Sequence, residues 1–164
     1  MKKSVAKYLL FFIISGILIL IDQFTKKMAF EKLYQNDPVI ILDNVLELVY
    51  VENRGAAFGI LQNKQILFYI LTVFVILIIL NYLHKINLNK KSIFLYSSLL
   101  FIFSGAIGNF VDRVRNKYVV DFIYFKPIDF PVFNFADICI TVGSFILIIS
   151  LFFIYKGDEI KIWD

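Results

Sequence analysis

The 164-residue chain has one cysteine, Cys139, and one histidine, His84. A lone cysteine excludes an internal disulfide. With so few soft ligands, no His/Cys cluster has metal-ligand spacing, so neither a metal centre nor another cofactor is expected. No serine–histidine pair is available for nucleophilic catalysis, and no glycine-rich loop is built to cradle phosphate. His84 falls in a short basic loop and is read as non-catalytic. Cys139 lies at the apolar start of a helix and is read as packing. Internal repeats, low-complexity tracts and interdomain linkers are absent, so a single domain is expected. The net charge is only +4, and the basic residues flank apolar runs. That pattern points to membrane topology and headgroup contact rather than to nucleic acid.

What the chain has in abundance is apolar residues. They make up 60 % of it, with 19 phenylalanines and a mean hydropathy of +0.78, against about 45–50 % in soluble domains. They gather into four runs at about 5–22, 66–84, 92–110 and 136–155, each near the ~20 residues that cross a hydrocarbon core. The fold class expected is therefore membrane α-helical, with four transmembrane helices. Lys2, Lys3 and Lys7 followed by the apolar run Tyr8–Ile21 resemble the start of a signal peptide. No small-x-small cleavage site follows, so the run reads as an uncleaved first span. An even number of spans puts both termini on one side. The raw count of basic residues does not choose that side, but lysine is densest in residues 2–7 and in loop 84–91. Both termini are accordingly placed in the cytoplasm, which puts loops 22–65 and 108–137 together on the outer face. The tail from Lys156 to Asp164 is charged.

Residues 37–62 are different in kind. Pro38–Leu42 and Val45–Val51, separated by an Asp43-Asn44 turn signal, read as two short strands. Glu47 and Glu52 interrupt them, so this is no span. The segment is expected to be a small extracytoplasmic β-rich cradle lying on the membrane.

Polar residues then concentrate between Gly105 and Asp137, where they are expensive to keep against membrane-grade sequence. Gly105, Asn109, Asp112 and Arg113 fall at offsets that share one helical face. Gly105 and Gly108 read as a close helix-packing face. Asn134 and Asp137 open the fourth span three residues apart; simple capping would account for one of them. By elimination, carboxylates carry whatever chemistry there is. Two aspartates held close do not both ionise easily, so one can act as base while the other keeps a proton. Asp112, beside Arg113, is the poorest candidate, and Asp121 with Asp137 is the preferred pair. The competing reading makes these carboxylates interfacial partners of Arg113, Arg115, Lys117 and Lys126. Asp22 and Lys26, four apart with the acid first, share one helical face; from spacing alone an ion pair at a helix end is preferred over a pair that anchors this helix against a site.

Taken in order, five motifs resemble the bacterial lipoprotein signal peptidases, or signal peptidase II. They are Asp22-Gln23-Phe24-Thr25-Lys26, Asn53-Arg54-Gly55-Ala56-Ala57-Phe58-Gly59, Gly105-Ala106-Ile107-Gly108-Asn109-Phe110-Val111-Asp112-Arg113, Val119-Val120-Asp121-Phe122 and Phe133-Asn134-Phe135-Ala136-Asp137. The resemblance implies an aspartic endopeptidase of the bacterial cell membrane. Its substrate would be a prolipoprotein carrying diacylglycerol, cut just before the lipidated cysteine. It also implies catalysis by Asp121 and Asp137 and substrate contacts from Asn53, Asn109, Arg113 and Asn134. Asp22, Lys26 and Asp112 would be structural. Membrane lipids and the lipidated substrate are the expected partners, and a monomer the expected state. A small proton-coupled transporter is the rival function. It would place carboxylates near mid-membrane, whereas here they stand at span ends. A non-catalytic scaffold would have no need of acid/base residues grouped on one face.

Overall fold

The third apolar run holds the rest together. It forms helix α3, Ser92–Asn116, and more than half of its most apolar stretch is buried inside the protein. The other three spanning helices are α1 (Lys2–Leu33), α2 (Gln65–Lys85) and α4 (Phe135–Ile149), the last continued by a wider π turn over Ser150–Ile154. They turn most of their surface outward, as helices dissolved in lipid do. The computed structural model describes residues 2–55 and 60–155, with side chains from residue 5 onward. Residues 56–59 of one motif and the charged tail from Lys156 lie outside the described residues. Among the described residues, four helices are long and apolar enough to cross a membrane.

Small residues let α3 and α4 touch at the backbone. A Cβ on Gly105 would overlap the carbonyl of Ala136, and one on Gly143 would stand 2.8 Å from the Ile102 side chain. This is the close packing that small residues allow between membrane helices. Phe11 of α1, fully buried, fills the space on the other side of α3, edge-on to Tyr96 and Phe103. At the same end Lys7 reaches across to the last turn of α2. Its Nζ donates to the carbonyls of Leu83 (2.7 Å) and Ile86 (2.8 Å), oxygens that a helix C-terminus leaves without partners.

At the far end, strands β1 (Val39–Leu42), β2 (Leu46–Asn53) and β3 (Val119–Phe125) form an antiparallel sheet in the order β1-β2-β3. The register pairs Val51 with Asp121 and Asn53 with Val119. α1 does not stop where its apolar run stops. It runs on to Leu33 and packs Ala29 and Leu33 beneath Val120 and Phe122, so the sheet rests on the first helix. Asp22 and Lys26 consequently sit inside a continuous helix, 1 % and 3 % exposed, and not at a helix end as spacing alone had it. β3 is also gripped on its other edge, where the Phe133 carbonyl accepts from the backbone N–H groups of Phe122 and Ile123. That contact lays the start of α4 beside β3.

Candidate active site

Asn134 is where these elements meet. It is fully buried and caps α4. Its Oδ1 accepts from the backbone N–H of Asp137 (3.0 Å), and Asp137 Oδ2 accepts in return from the backbone N–H of Asn134 (3.1 Å). Capping therefore engages both residues and not one, as a reciprocal box. Each still has atoms to spare. With Oδ1 committed to the cap, the Asn134 amide nitrogen is turned toward Asp121 and donates to its Oδ1 at 2.6 Å. The other oxygen of Asp137 accepts from Asn109 Nδ2 at 2.8 Å. Asn109 and Asn134 are themselves joined, Nδ2 of Asn134 to Oδ1 of Asn109, at 3.2 Å. Two asparagines thus link the two carboxylates.

Asp121 is 2 % exposed. Its Oδ2 accepts from Asn53 Nδ2 at 2.8 Å, a bond set up by the β2–β3 register. Asn53 is itself held by accepting from the backbone N–H of Gly55. Arg113, one turn along α3 from Asn109, donates to the Gly55 carbonyl at 3.1 Å and lies over the Phe68 ring at 4.5 Å. Its buried Nε has no partner among the described residues. Asp112, on the face turned away, joins Lys26 (3.1 Å) and accepts from Gln23 (2.9 Å). The cation beside it is therefore Lys26 of α1. Of the cations that could have neutralised the aspartates, Lys126 pairs with Glu47 and Lys117 donates to the Val114 carbonyl.

Asn53, Asn109, Arg113, Asp121 and Asp137 line one cavity of about 670 Å³. Phe130–Phe133 and Ile138, Ile140 and Val142 give it apolar walls, and Glu52, Gln62 and Thr141 also reach it. These last three were not picked out by sequence reasoning. Thr141 lies one helical turn beyond Asp137 in an otherwise apolar span, and that polar interruption was the available signal.

Burial first, and the neighbouring Asp137 charge second, push the Asp121 carboxyl up to about 7, against the amide donors Asn53 and Asn134, which favour the ionised form. An unfolded aspartate titrates near 4. Since the folded value is the higher, the folded state prefers the protonated acid. This contribution to stability is complete below about pH 4 and is lost as pH rises through about 7. The substitution Asp121→Asn cannot ionise. It is expected to raise thermal stability in detergent at pH 8 by up to roughly 4 kcal/mol, since a tenfold change in proton affinity is worth about 1.4 kcal/mol. At pH 4, where the acid is already protonated when folded, this gain should be absent. Melting curves at the two pH values check this.

The arrangement is one of two carboxyls in one cavity, Asp121 buried and Asp137 half-buried, chemistry suited to activating water. The chain is similar to known proteins over most of its length. Residues 14–153 match the family described as Signal peptidase (SPase) II. A lipoprotein signal peptidase of Caldanaerobacter subterraneus is 47 % identical over 146 residues, covering 88 % of this chain and 96 % of that one. One from Clostridium tetani is 41 % identical over 143 residues, covering 85 % and 88 %. Two solved bacterial membrane enzymes are also similar. The first has a TM-score of 0.77 at 32 % identity, with 86 % of each chain covered, and the second 0.75 at 31 %, with 87 % and 92 % covered.

Proposed function

The chain belongs to the signal peptidase II family and is a membrane-embedded peptidase, and from that premise we propose that Asp121 and Asp137 are the pair that cleaves its substrate. The substrate is a prolipoprotein, from which the enzyme removes the signal peptide. On this reading the precursor already carries diacylglycerol, and the cut falls just before the lipidated cysteine. The observation that carries the dyad is Asn134, whose one side chain caps Asp137 and donates to Asp121.

Asp137 has two donors on its carboxylate, Asn109 Nδ2 and the Asn134 N–H, at the N-terminus of a helix that favours negative charge. It is the base. Asp121, whose burial favours the neutral form, holds the proton. Asp137 takes a proton from a water held between the two, and the water attacks the scissile carbonyl. Asp121 hydrogen-bonds the developing oxyanion, and the proton now on Asp137 passes to the leaving amine. Arg113, which lines the cavity, offers its guanidinium to a substrate carbonyl. The apolar walls receive the residues flanking the cut, and the acyl chains stay in lipid, where remote binding energy fixes the register of cleavage. The cavity faces the outer side of the cell membrane, both termini are cytoplasmic, and one copy of the chain, acting as one domain, suffices.

The test is cleavage in detergent of one precursor with and without its diacylglyceryl group. Cleavage of only the lipidated form is expected. Equal cleavage of both removes the lipid from the reading. No cleavage, with proton-coupled flux in liposomes, replaces the peptidase by a transporter.

A further inference from the structure

A second pair of carboxylates stands directly behind the first. Asp22 of α1 accepts from the backbone N–H of Ala136 at 2.9 Å, and Asp112 of α3 accepts from that of Val120 at 3.1 Å. Ala136 immediately precedes Asp137, and Val120 immediately precedes Asp121. Lys26 lies between the two acids, 2.9 Å from Asp22 and 3.1 Å from Asp112. Gln23 bridges the same two, donating to Asp22 (3.1 Å) and to Asp112 (2.9 Å). The charged members of the group are nearly inaccessible, and they do not line the cavity. Lys26 makes one more bond, donating to Asn109 Oδ1 at 2.9 Å. With that oxygen occupied, the Asn109 amide can only turn its Nδ2 toward Asp137.

We infer that Asp22, Lys26 and Asp112 are positioning residues that set the separation and orientation of the two reacting carboxyls, each acid fixing the backbone beside one member and Lys26 tying the acids together. An ion cluster kept only for stability would have no reason to grip these two peptide groups. Buried ion pairs are in any case a poor source of net stability. The cluster serves as a gauge. It joins the strand that carries Asp121 to the helix that carries Asp137, two elements otherwise linked by the 133–134 segment and the asparagines. The inference rests on the catalytic reading of Asp121 and Asp137.

The decisive variants are Lys26→Met, Asp112→Asn and their double. A misplacement of about 1 Å costs roughly 100-fold in rate, so each single variant is expected to lower kcat about 10- to 100-fold per folded molecule. KM should stay within about threefold, since none of these groups reaches the substrate. Because the residues act as one unit, the double variant should lose no more than Lys26→Met alone. Lys26→Met also removes one of the two donors that fix Asn109 Oδ1, leaving only Asn134 Nδ2 to hold the amide turned toward Asp137. The rate–pH profile should then move to higher pH, because Asp121 holds its proton more tightly without the cation. The charged and titratable groups that bear on the pair are Asp22 and Lys26 from α1, Glu52 from β2, Asp112 and Arg113 from α3, and Cys139 from α4. A purely structural role would lower the folded fraction and leave the profile in place.

Losses that multiply in the double variant, a rise in KM at constant kcat, or an unmoved profile with native kcat per folded molecule would each overturn the inference. If Lys26→Met does not accumulate folded, the cycle of Gln23→Met with Asp112→Asn decides by the same kcat and additivity criteria. Cleavage by the unmodified protein is the control. Its absence sinks the catalytic reading, whereas an intact control with unaffected variants sinks only the gauge.

Discussion

Asp121→Asn and Asp137→Asn should each abolish cleavage of the lipidated precursor, with turnover reduced by at least about 10³-fold. An amide is isosteric with the carboxyl but neither accepts nor releases a proton at neutral pH, so general acid or base assistance is lost outright. Most of the surrounding bonds survive. An asparagine at 121 still presents an oxygen to Asn53 or Asn134, and one at 137 to Asn109 or the Asn134 N–H, with the helix cap from Asn134 retained. Folding should therefore persist, as judged by monodisperse elution and cooperative melting in detergent. A variant of either residue with near-native turnover would remove that residue from the dyad.

The next largest effect is expected at Asn134, which does two jobs with one side chain. Asn134→Ala should cost about 1 kcal/mol of stability through the lost cap and lower kcat by roughly 10²- to 10³-fold. With the amide gone, Asp121 Oδ1 loses its 2.6 Å donor and Asn109 loses a neighbour. Asn134→Ser separates the two jobs. Serine is a good N-cap but does not reach across to Asp121. It should return most of the melting temperature and little of the rate. If serine restored both together, Asn134 would matter only as a cap, and its bond to Asp121 would be incidental.

The spans, the β-rich segment and the polar stretch between Gly105 and Asp137 were legible because each rests on local sequence: unbroken apolar length, β-branched runs, residues spaced by one helical turn. Gly105 and Gly108 were read as a packing face, and the close approach of Ala136 and Asp22 to them accords with that. What could not be read is whatever depends on partners distant in the chain. The pairing of Val51 with Asp121 is a long-range register, and nothing near Asp121 announces it. Asp22 and Lys26 were read by preference as a helix-end ion pair because their spacing identifies only each other. Their remaining partners, Asp112, Asn109 and the Ala136 N–H, belong to helices made later. Gln62 and Glu52 reach the cavity from loop and strand positions with no periodicity to expose them.

That long separation bears on how the molecule is made. Asp22 bonds to a residue 114 positions downstream, and Lys26 to one 83 positions downstream. The first helix thus enters the bilayer carrying two charges whose final partners have not yet been synthesised. An unaccompanied charge in hydrocarbon is costly. Here each charge has its opposite one turn away on the same helix, 2.9 Å apart in the folded protein, so the two can offset each other before those partners exist. Asp112 and Asn109 join when α3 arrives, and the Ala136 N–H arrives with α4. Only that last insertion delivers Asp137, so on the proposed dyad a nascent chain short of its fourth helix has no proteolytic activity toward its neighbours in the membrane.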